Sequence, residues 1–256
     1  MPEAWRFQYT RLKHAVHAQF GAGLVALENT KLEALILNPE HTKLISTYYA
    51  MLMGRKQPRE EKTRLRWIAV IPELTESQWE EVLFSYLPTV ISARDKLIQL
   101  RYLHQMYYTP HRLYRMGRRE NPICHKCLVA EGTFIHMVWE CNRIRPVWSQ
   151  VTQFIADTFD LPNICSPLLC LLGIIEDEVM SNNMQIFLRL LFYYVRKLIV
   201  LNWVKRDYLT LSAWKGLVNT NITMYKMTYE ARGSRKKFQN VWGRWADSMD
   251  TNPGET

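Results

Sequence analysis

The sequence predicts an all-α fold in the form of an irregular helical assembly. Helix caps stand ahead of apolar residues at helical spacing in both halves of the chain, and only residues 65–71 alternate as a strand would. The 256 residues include 10 glycines, which disfavours propellers, turn-rich β-sandwiches and glycine-rich nucleotide-binding loops. Apolar residues make up 48% and charged residues 22% of the chain, so wholesale disorder is excluded.

The helix signals of the first half are most distinct after residue 74. Residues 75–78 match a capping box, and the apolar helix behind it is predicted to end at Pro88. Ser92 is predicted to cap the next helix, which ends before Pro110 because a residue that precedes proline avoids the α conformation. The predicted apolar stripe of that helix consists of Leu97, Leu100, Leu103, His104 and Tyr107. A short helix over residues 110–116 follows.

The second half is predicted to contain four further helices. One begins near Pro146, a residue that suits the first turn, and the others cover residues 183–205, 212–230 and 234–246. Residues 249–256 are polar and include a Pro-Gly pair, so a disordered tail is expected there.

The longest of these helices contains the most apolar run of the chain, residues 186–204, which has about the length of a membrane span. Arg189, Arg196 and Lys197 interrupt this run, and each unpaired charge at a bilayer centre costs about 2.5–3.5 kcal/mol. The sequence therefore predicts a buried helix of a soluble protein. Arg189 and Arg196 are seven residues apart and are expected to share a face that reaches water.

The number of cysteines and the N-terminal residues indicate the cellular compartment in which the protein is expected. Residues 1–20 contain no uninterrupted apolar stretch of the kind that forms a signal peptide. Five cysteines in a chain of this length are too few for a secreted disulfide scaffold. We therefore expect the nucleus, the cytoplasm or both, rather than secretion.

A spaced set of cysteines and one histidine is the most specific motif. Cys124, Cys127, His136 and Cys141 follow the pattern Cys-x2-Cys-x8-His-x4-Cys. Three thiolates and one imidazole form a closed tetrahedral set for a structural Zn²⁺, with no position left for water or substrate. An embedded CCHC zinc-binding loop is therefore predicted within the helical assembly. The alternative is a set of reduced, buried cysteines with a coincidental histidine.

One histidine and two cysteines near the motif are not counted among its four residues. His125 is expected to point outward, although it could replace His136 as a ligand if the loop had a different shape. Cys165 and Cys170 lack ligand spacing and are expected to be core residues.

Positive charge favours a polyanionic partner. The chain has 33 Lys and Arg against 24 Asp and Glu, a formal net charge of +9 and an isoelectric point near 9.3. Between residues 189 and 245, twelve bases face two acids, and another basic cluster beside Tyr107, Tyr108 and Tyr114 precedes the cysteines. The candidate nucleic-acid-binding residues are Arg112, Arg115, Arg118, Arg119, Lys126, Arg235, Lys236 and Lys237.

Bases among aromatic rings suit single-stranded nucleic acid, since cations contact phosphates and rings stack on bases. The alternative interpretation is a solvated basic face on helices of the core.

The cysteine motif and its flanks resemble a known family. Residues 107–113, residues 122–127 (PICHKC) and residues 132–141 (GTFIHMVWEC) look like the zinc-binding region of non-LTR (LINE-type) retrotransposon reverse transcriptases. Weaker matches lie at residues 92–94, 97–99, 171–173, 224–230 and 238–242, so that the resemblance extends from about Tyr9 to Trp245.

The resemblance implies a domain organisation. Residues 1–91 would be a helical connector after the polymerase domain, residues 92–160 the zinc-binding region with its knuckle at 124–141, and residues 161–248 a basic helical region. The implied partner is template RNA, or single-stranded or nicked target DNA. The implied function is that of a non-catalytic nucleic-acid-binding segment of a retroelement or of a gene derived from one.

Two other interpretations remain open at this point. One is a helical protein-interaction module that binds a protein partner, and the other is a remnant without a nucleic-acid role. Neither a membrane nor a small-molecule substrate is expected as a partner.

Catalysis is not expected from these residues. A polymerase holds two Mg²⁺ ions with paired carboxylates, commonly in an aromatic-x-Asp-Asp turn. The nearest string, residues 154–158, has one aspartate, Asp157, and lies on a predicted helix. No polymerase or endonuclease activity is therefore predicted.

Overall fold

A computed structural model of the chain describes residues 3–20, 59–163, 165–176 and 180–250. The chain divides into two compact units, residues 1–61 and 62–256. In the first unit, helix α1 (Glu3–Phe20) carries His14 and His17 as exposed side chains. Of the tail that is predicted to be disordered, residues 251–256 lie outside the described residues, whereas residues 249–250 belong to the last helix.

The described part of the chain is helical, as predicted. The helices after α1 are α2 (Arg59–Ile68), α3 (Glu76–Thr89), α4 (Ala93–Leu103), α5 (Pro110–Arg115), α6 (Arg145–Phe159), α7 (Asn182–Leu201), α8 (Leu211–Ala231) and α9 (Arg235–Asp250). Two short π-helical turns cover His136–Glu140 and Leu168–Leu172. Within the described ranges, β-pairing is limited to a single bridge between Ile123 and Glu131. Residues 65–68, in the segment that alternates, belong to α2.

The helix starts follow the sequence signals at α3 but not fully at α4. At α3, the Gln78 amide donates to the Thr75 hydroxyl at 3.2 Å, and the Thr75 amide donates to the Gln78 side chain at 2.9 Å. This capping box confirms the prediction, although α3 continues one residue past Pro88. Ser92 occupies the N-cap of α4, but its side chain makes no capping hydrogen bond.

Helix α7 runs through the core of the second unit. Helices α3, α6, α8 and α9 pack against it. Its side chains are buried without interruption from Phe187 to Ile199. Trp214 of α8 donates its indole N–H to the Leu191 carbonyl at 3.1 Å. No helix in the part of the chain described here is long and apolar enough to cross a membrane.

The expectation of a water-facing side on α7 is wrong. Arg189 and Arg196 are buried, at 8% and 2% exposure. Arg189 donates to the Glu81 carboxylate of α3 and to the Gly173 carbonyl, and Arg196 donates to the Cys170 carbonyl at 2.8 Å. Because buried charges need partners, α7 can be covered on all sides only where other segments supply acceptors.

The predicted apolar stripe of α4 is also partly wrong. Leu97 and Leu100 are exposed, at 45% and 40%, whereas Asp95 and Gln99 are buried. The reason is an ion pair, since the Asp95 carboxylate lies 2.7 Å from the Lys197 ammonium of α7. The helix therefore turns a polar side toward the core.

Candidate metal centre

The first two cysteines lie in a tight loop between α5 and the first π-helical turn. The Cys124 amide donates to the Ala130 carbonyl at 2.8 Å, and the Leu128 amide donates to the Cys124 carbonyl at 2.9 Å. Leu128 has φ of +60°, in the left-handed region, which reverses the chain after Cys127. The bridge between Ile123 and Glu131 closes the base of the loop.

Gly132 places this loop against the start of α5. A Cβ atom at residue 132 would lie 2.6 Å from the Pro110 ring, so no larger residue fits without displacing α5. The His111 amide donates to the Gly132 carbonyl at 3.2 Å. Nδ1 of the His111 ring forms a hydrogen bond with the Glu131 carboxylate. The close approach therefore gives Gly132 a steric role.

The other two candidate ligands, His136 and Cys141, lie at the start of the π-helical turn and directly after its end. The Thr133 hydroxyl accepts from the His136 amide at 3.1 Å and holds the start of this turn. The Cys141 amide donates to the His136 carbonyl at 2.9 Å, which is the i to i+5 bond of a π turn. The turn thus joins the histidine to the last cysteine directly.

The four ligand atoms of Cys124, Cys127, His136 and Cys141 all lie within 4.8 Å of one another. The Cys127 sulfur is 3.3 Å from Nε2 of His136. Around a tetrahedral Zn²⁺, sulfur and nitrogen ligands would stand about 3.5–3.8 Å apart, given metal–ligand bonds of about 2.0–2.3 Å. The cluster therefore has the donor set and the spacing to hold one metal ion.

The electrostatics of the cluster favour a cation. Burial opposes ionisation of Cys127, but the amides of Ala130 and Val129 and the His136 side chain bring its pKa down to about 6. Burial, with a smaller contribution from the neighbouring sulfurs of Cys124 and Cys127, raises the pKa of Cys141 to about 12, although the Arg143 amide opposes the shift. Three thiolates at this spacing repel one another, and a bound cation would remove that repulsion.

The side chains between the first two cysteines face the segment after α7. Nε2 of His125 lies 2.7 Å from the Trp203 carbonyl. The expectation that His125 points outward is therefore wrong, and it is not part of the ligand cluster. Burial is the main reason why its pKa is lowered.

Lys126 requires a correction among the nucleic-acid-binding candidates. The side chain is 3% exposed, and its ammonium donates to the carbonyls of Asn202 at 2.8 Å and Lys205 at 2.6 Å. Burial lowers its pKa. The ammonium is therefore directed into the protein and does not face a phosphate at the surface.

The other basic candidates are placed differently. Arg112, Arg115 and Arg118 are exposed, and the Arg112 guanidinium lies 5.3 Å from the ring centre of Tyr108. Arg119 is half-buried and donates to the Ile123 carbonyl at 3.0 Å, so it braces the cysteine loop. The exposed side chains at the start of α9 are those of Arg235, Lys236 and Lys237.

Sequence reasoning missed one residue at this site, Trp203. Its indole N–H donates to the Tyr108 carbonyl at 2.7 Å, and its ring lies 5.2 Å from that of Tyr107 and 6.0 Å from that of Phe134. Trp203 and Tyr108 are 95 residues apart, so no local pattern indicates the contact.

Outside the cluster, Cys170 is buried as predicted, whereas Cys165 is exposed, contrary to prediction.

No protein family model matches this chain.

Proposed function

We propose that this chain is the non-catalytic, zinc-binding C-terminal segment of a non-LTR (LINE-type) retroelement reverse transcriptase, or of a gene derived from one, and that it binds template RNA or nicked target DNA. The observation that carries the proposal is the converging Cys3His cluster, which occurs within the segment that resembles this family. Exposed arginines of α5 lie on the segment that packs against the cysteine loop.

The metal in this proposal is a structural Zn²⁺ held by Cys124, Cys127, His136 and Cys141. Three sulfurs and one nitrogen satisfy all four positions of the ion, so the metal stabilises the loop and performs no chemistry. Elemental analysis should find about one zinc per chain. Cys127→Ser should lose the metal, and Cys165→Ser, outside the cluster, should retain it. A zinc content well under one per chain would contradict this part of the proposal.

Two exposed basic surfaces support nucleic-acid binding. The first includes Arg112, Arg115 and Arg118, beside the exposed rings of Tyr108 and Tyr114. The second is the first turn of α9, where exposed bases coincide with the positive end of a helix. Cations and exposed rings together favour a single-stranded or structured RNA over a plain duplex.

Fluorescence anisotropy with a labelled single-stranded RNA tests this function. If about four to six phosphates are neutralised, log affinity should fall with log salt along a slope of about −3 to −4. Arg118→Ala should weaken binding and flatten the slope, as should Lys236→Ala combined with Lys237→Ala. Arg94→Ala removes an exposed charge of α4 and serves as the control.

Absent binding at low salt would favour the alternative, a helical protein-interaction module. Specific support for that alternative comes from exposed apolar side chains on two helices that pack together, Phe84 on α3 and Leu97 and Leu100 on α4.

The proposal includes no polymerase activity. Asp157 lies on α6, exposed, and accepts from the Gln153 side-chain amide at 2.7 Å. The next residue is Thr158, so the adjacent second aspartate with which a polymerase turn holds a pair of Mg²⁺ ions is missing. Primer extension with Mg²⁺ should therefore yield no product, and incorporation that copurifies with the chain and survives Asp157→Asn would contradict the proposal.

A further inference from the structure

A groove of about 400 Å³ lies between the end of α2, the loop after α4, and α5. Three exposed guanidinium groups line it: Arg66 from α2, and Arg112 and Arg115 from α5. None of the described residues that line this groove is acidic. A second hollow, lined by His111, Arg112 and Arg115 among others, continues it along α5. The chemistry of the walls therefore selects an anion.

Gln105 supplies an independent observation at the same groove. Its φ is +50°, in the left-handed region, where glycine usually ends a helix. The Gln105 amide donates to the Tyr102 carbonyl at 2.9 Å and so fixes this conformation. Its side-chain Nε2 is buried and finds no acceptor within the described part of the chain. A strained residue with an unsatisfied buried donor is typical of a ligand site.

The histidines of the groove are engaged with other protein groups. Nδ1 of His104 lies 3.0 Å from the Thr63 hydroxyl, and His111 is paired with Glu131. The Glu131 carboxylate is thus directed to His111. The groups that remain for an anion include the guanidinium groups and the Gln105 amide, and guanidinium groups bind phosphate oxygens in a bidentate manner.

We infer that this groove binds a backbone phosphate of a single-stranded nucleic acid, with Arg66 and Gln105 as contact residues that the sequence patterns did not single out. The inference rests on the proposed function. It extends the nucleic-acid-binding surface from α5 to Arg66 of α2. Rotation of the Gln105 side chain brings its amide to one phosphate oxygen, and Arg66 of α2 and Arg115 of α5 contact the same phosphate.

Binding of a labelled oligouridylate to the metal-loaded chain tests this inference. Arg66→Ala should weaken binding about fivefold, the loss of one charge-assisted contact, and should make the salt slope shallower by about 0.7. Gln105→Glu replaces the amide donor by a carboxylate of the same shape and should weaken binding at least as much. The matched controls are Arg94→Ala and Gln150→Glu, which change the same charges at exposed positions outside the groove.

The outcomes separate the inference from the function on which it rests. If the wild-type chain binds and both groove variants bind as their controls do, the groove inference is overturned and the proposed function stands. If the wild-type chain does not bind at low salt, both are overturned. Thermal unfolding checks each variant, and should Gln105→Glu fail to fold, the exposed Arg66 decides the outcome.

Discussion

Lys126 joins the cysteine loop to the segment that follows α7. Its ammonium donates to the carbonyls of Asn202 and Lys205, beyond the last turn of the helix. Carbonyls at a helix C-terminus lack intrahelical partners and form the negative end of the helix dipole, so a cation is favoured there. A lysine between two cysteines of the cluster thus stabilises the fold.

We expect Lys126→Met to destabilise the chain by about 1–3 kcal/mol, because the apolar stem remains while the acceptors lose their donor. Urea denaturation followed by circular dichroism measures the change. Lys236→Met alters an exposed side chain and should stay within about 0.5 kcal/mol of wild type. Equal stabilities of the two variants would contradict the role assigned to Lys126.

Cys165 should be the most reactive thiol of the metal-loaded chain. A hydrogen bond with Cys170, together with Thr152 and Arg145, lowers the pKa of Cys165 to about 7, although burial opposes the shift. Burial raises the pKa of Cys170. Since the thiolate is the nucleophile, alkylation of Cys165 by iodoacetamide should rise as the pH increases through about 7 and then level off.

Mass spectrometry of the modified peptide measures this rate. Cys170→Ala removes the hydrogen bond, so the pKa of Cys165 should rise and the midpoint of the pH profile should move to higher pH. A profile with the same midpoint in Cys170→Ala, or one that rises only at the pH of an ordinary thiol, would contradict the assignment.

At the scale of the helices, a buried ion pair holds α4 on α7. The Lys197 ammonium lies 2.7 Å from the Asp95 carboxylate and donates to the Asn221 side chain of α8 at 3.0 Å. Side chains of α4 and α8 therefore both contact the Lys197 ammonium of α7. Removing one partner of such a pair leaves the other charge buried without compensation.

Lys197→Met or Asp95→Asn should each lower the free energy of unfolding by about 3–5 kcal/mol. The double variant should cost less than the sum, because it leaves no unpaired charge behind. A double-mutant cycle in urea measures this coupling. The control is Glu230→Gln, which removes an exposed pair with Arg235 at 4.0 Å and should change stability by less than about 1 kcal/mol. Additive effects at Asp95 and Lys197 would refute the pairing.

Helices α3 and α4 show which features of the fold could be predicted from sequence and which could not. The capping box at Thr75 was predictable because all of its donors and acceptors lie within four residues. The stripe that includes Leu97 was predicted wrongly because the partner of Asp95 lies on α7. Apolar periodicity assumes that charged residues face water, and it fails wherever a distant segment supplies a partner for a buried charge.

The candidate site divides in the same way. Spacing alone predicted the four clustered side chains, because each half of the motif closes a local turn. The roles of His125 and Lys126 could not be predicted, since their acceptors lie 76–79 residues further along the chain. Nor does a local pattern reveal the groove, whose walls come from α2, α5 and the loop between residues 104 and 109.

Across the whole second unit, two groups of contacts can be distinguished. The cysteine loop and its surroundings are connected to residues 202–205 through His125, Lys126 and Trp203. Helices α7, α8 and α9 pack on one another through aromatic side chains such as Trp214 and Trp245, whose rings are 5.5 Å apart. The second group includes none of the four side chains of the cluster.

Metal removal should therefore affect the chain unevenly. A structural metal contributes directly to folding, so chelation should lower amide protection around residues 122–141 and, through Lys126, around residues 202–205. Protection in α8 and α9 should change little, because their packing does not pass through the loop. Hydrogen exchange with mass spectrometry measures both regions in the treated chain, in Cys127→Ser and in the Cys165→Ser control. Equal loss of protection in α8 and α9 would show that the metal stabilises the entire unit, whereas no change near residue 126 would remove the cluster from a structural role.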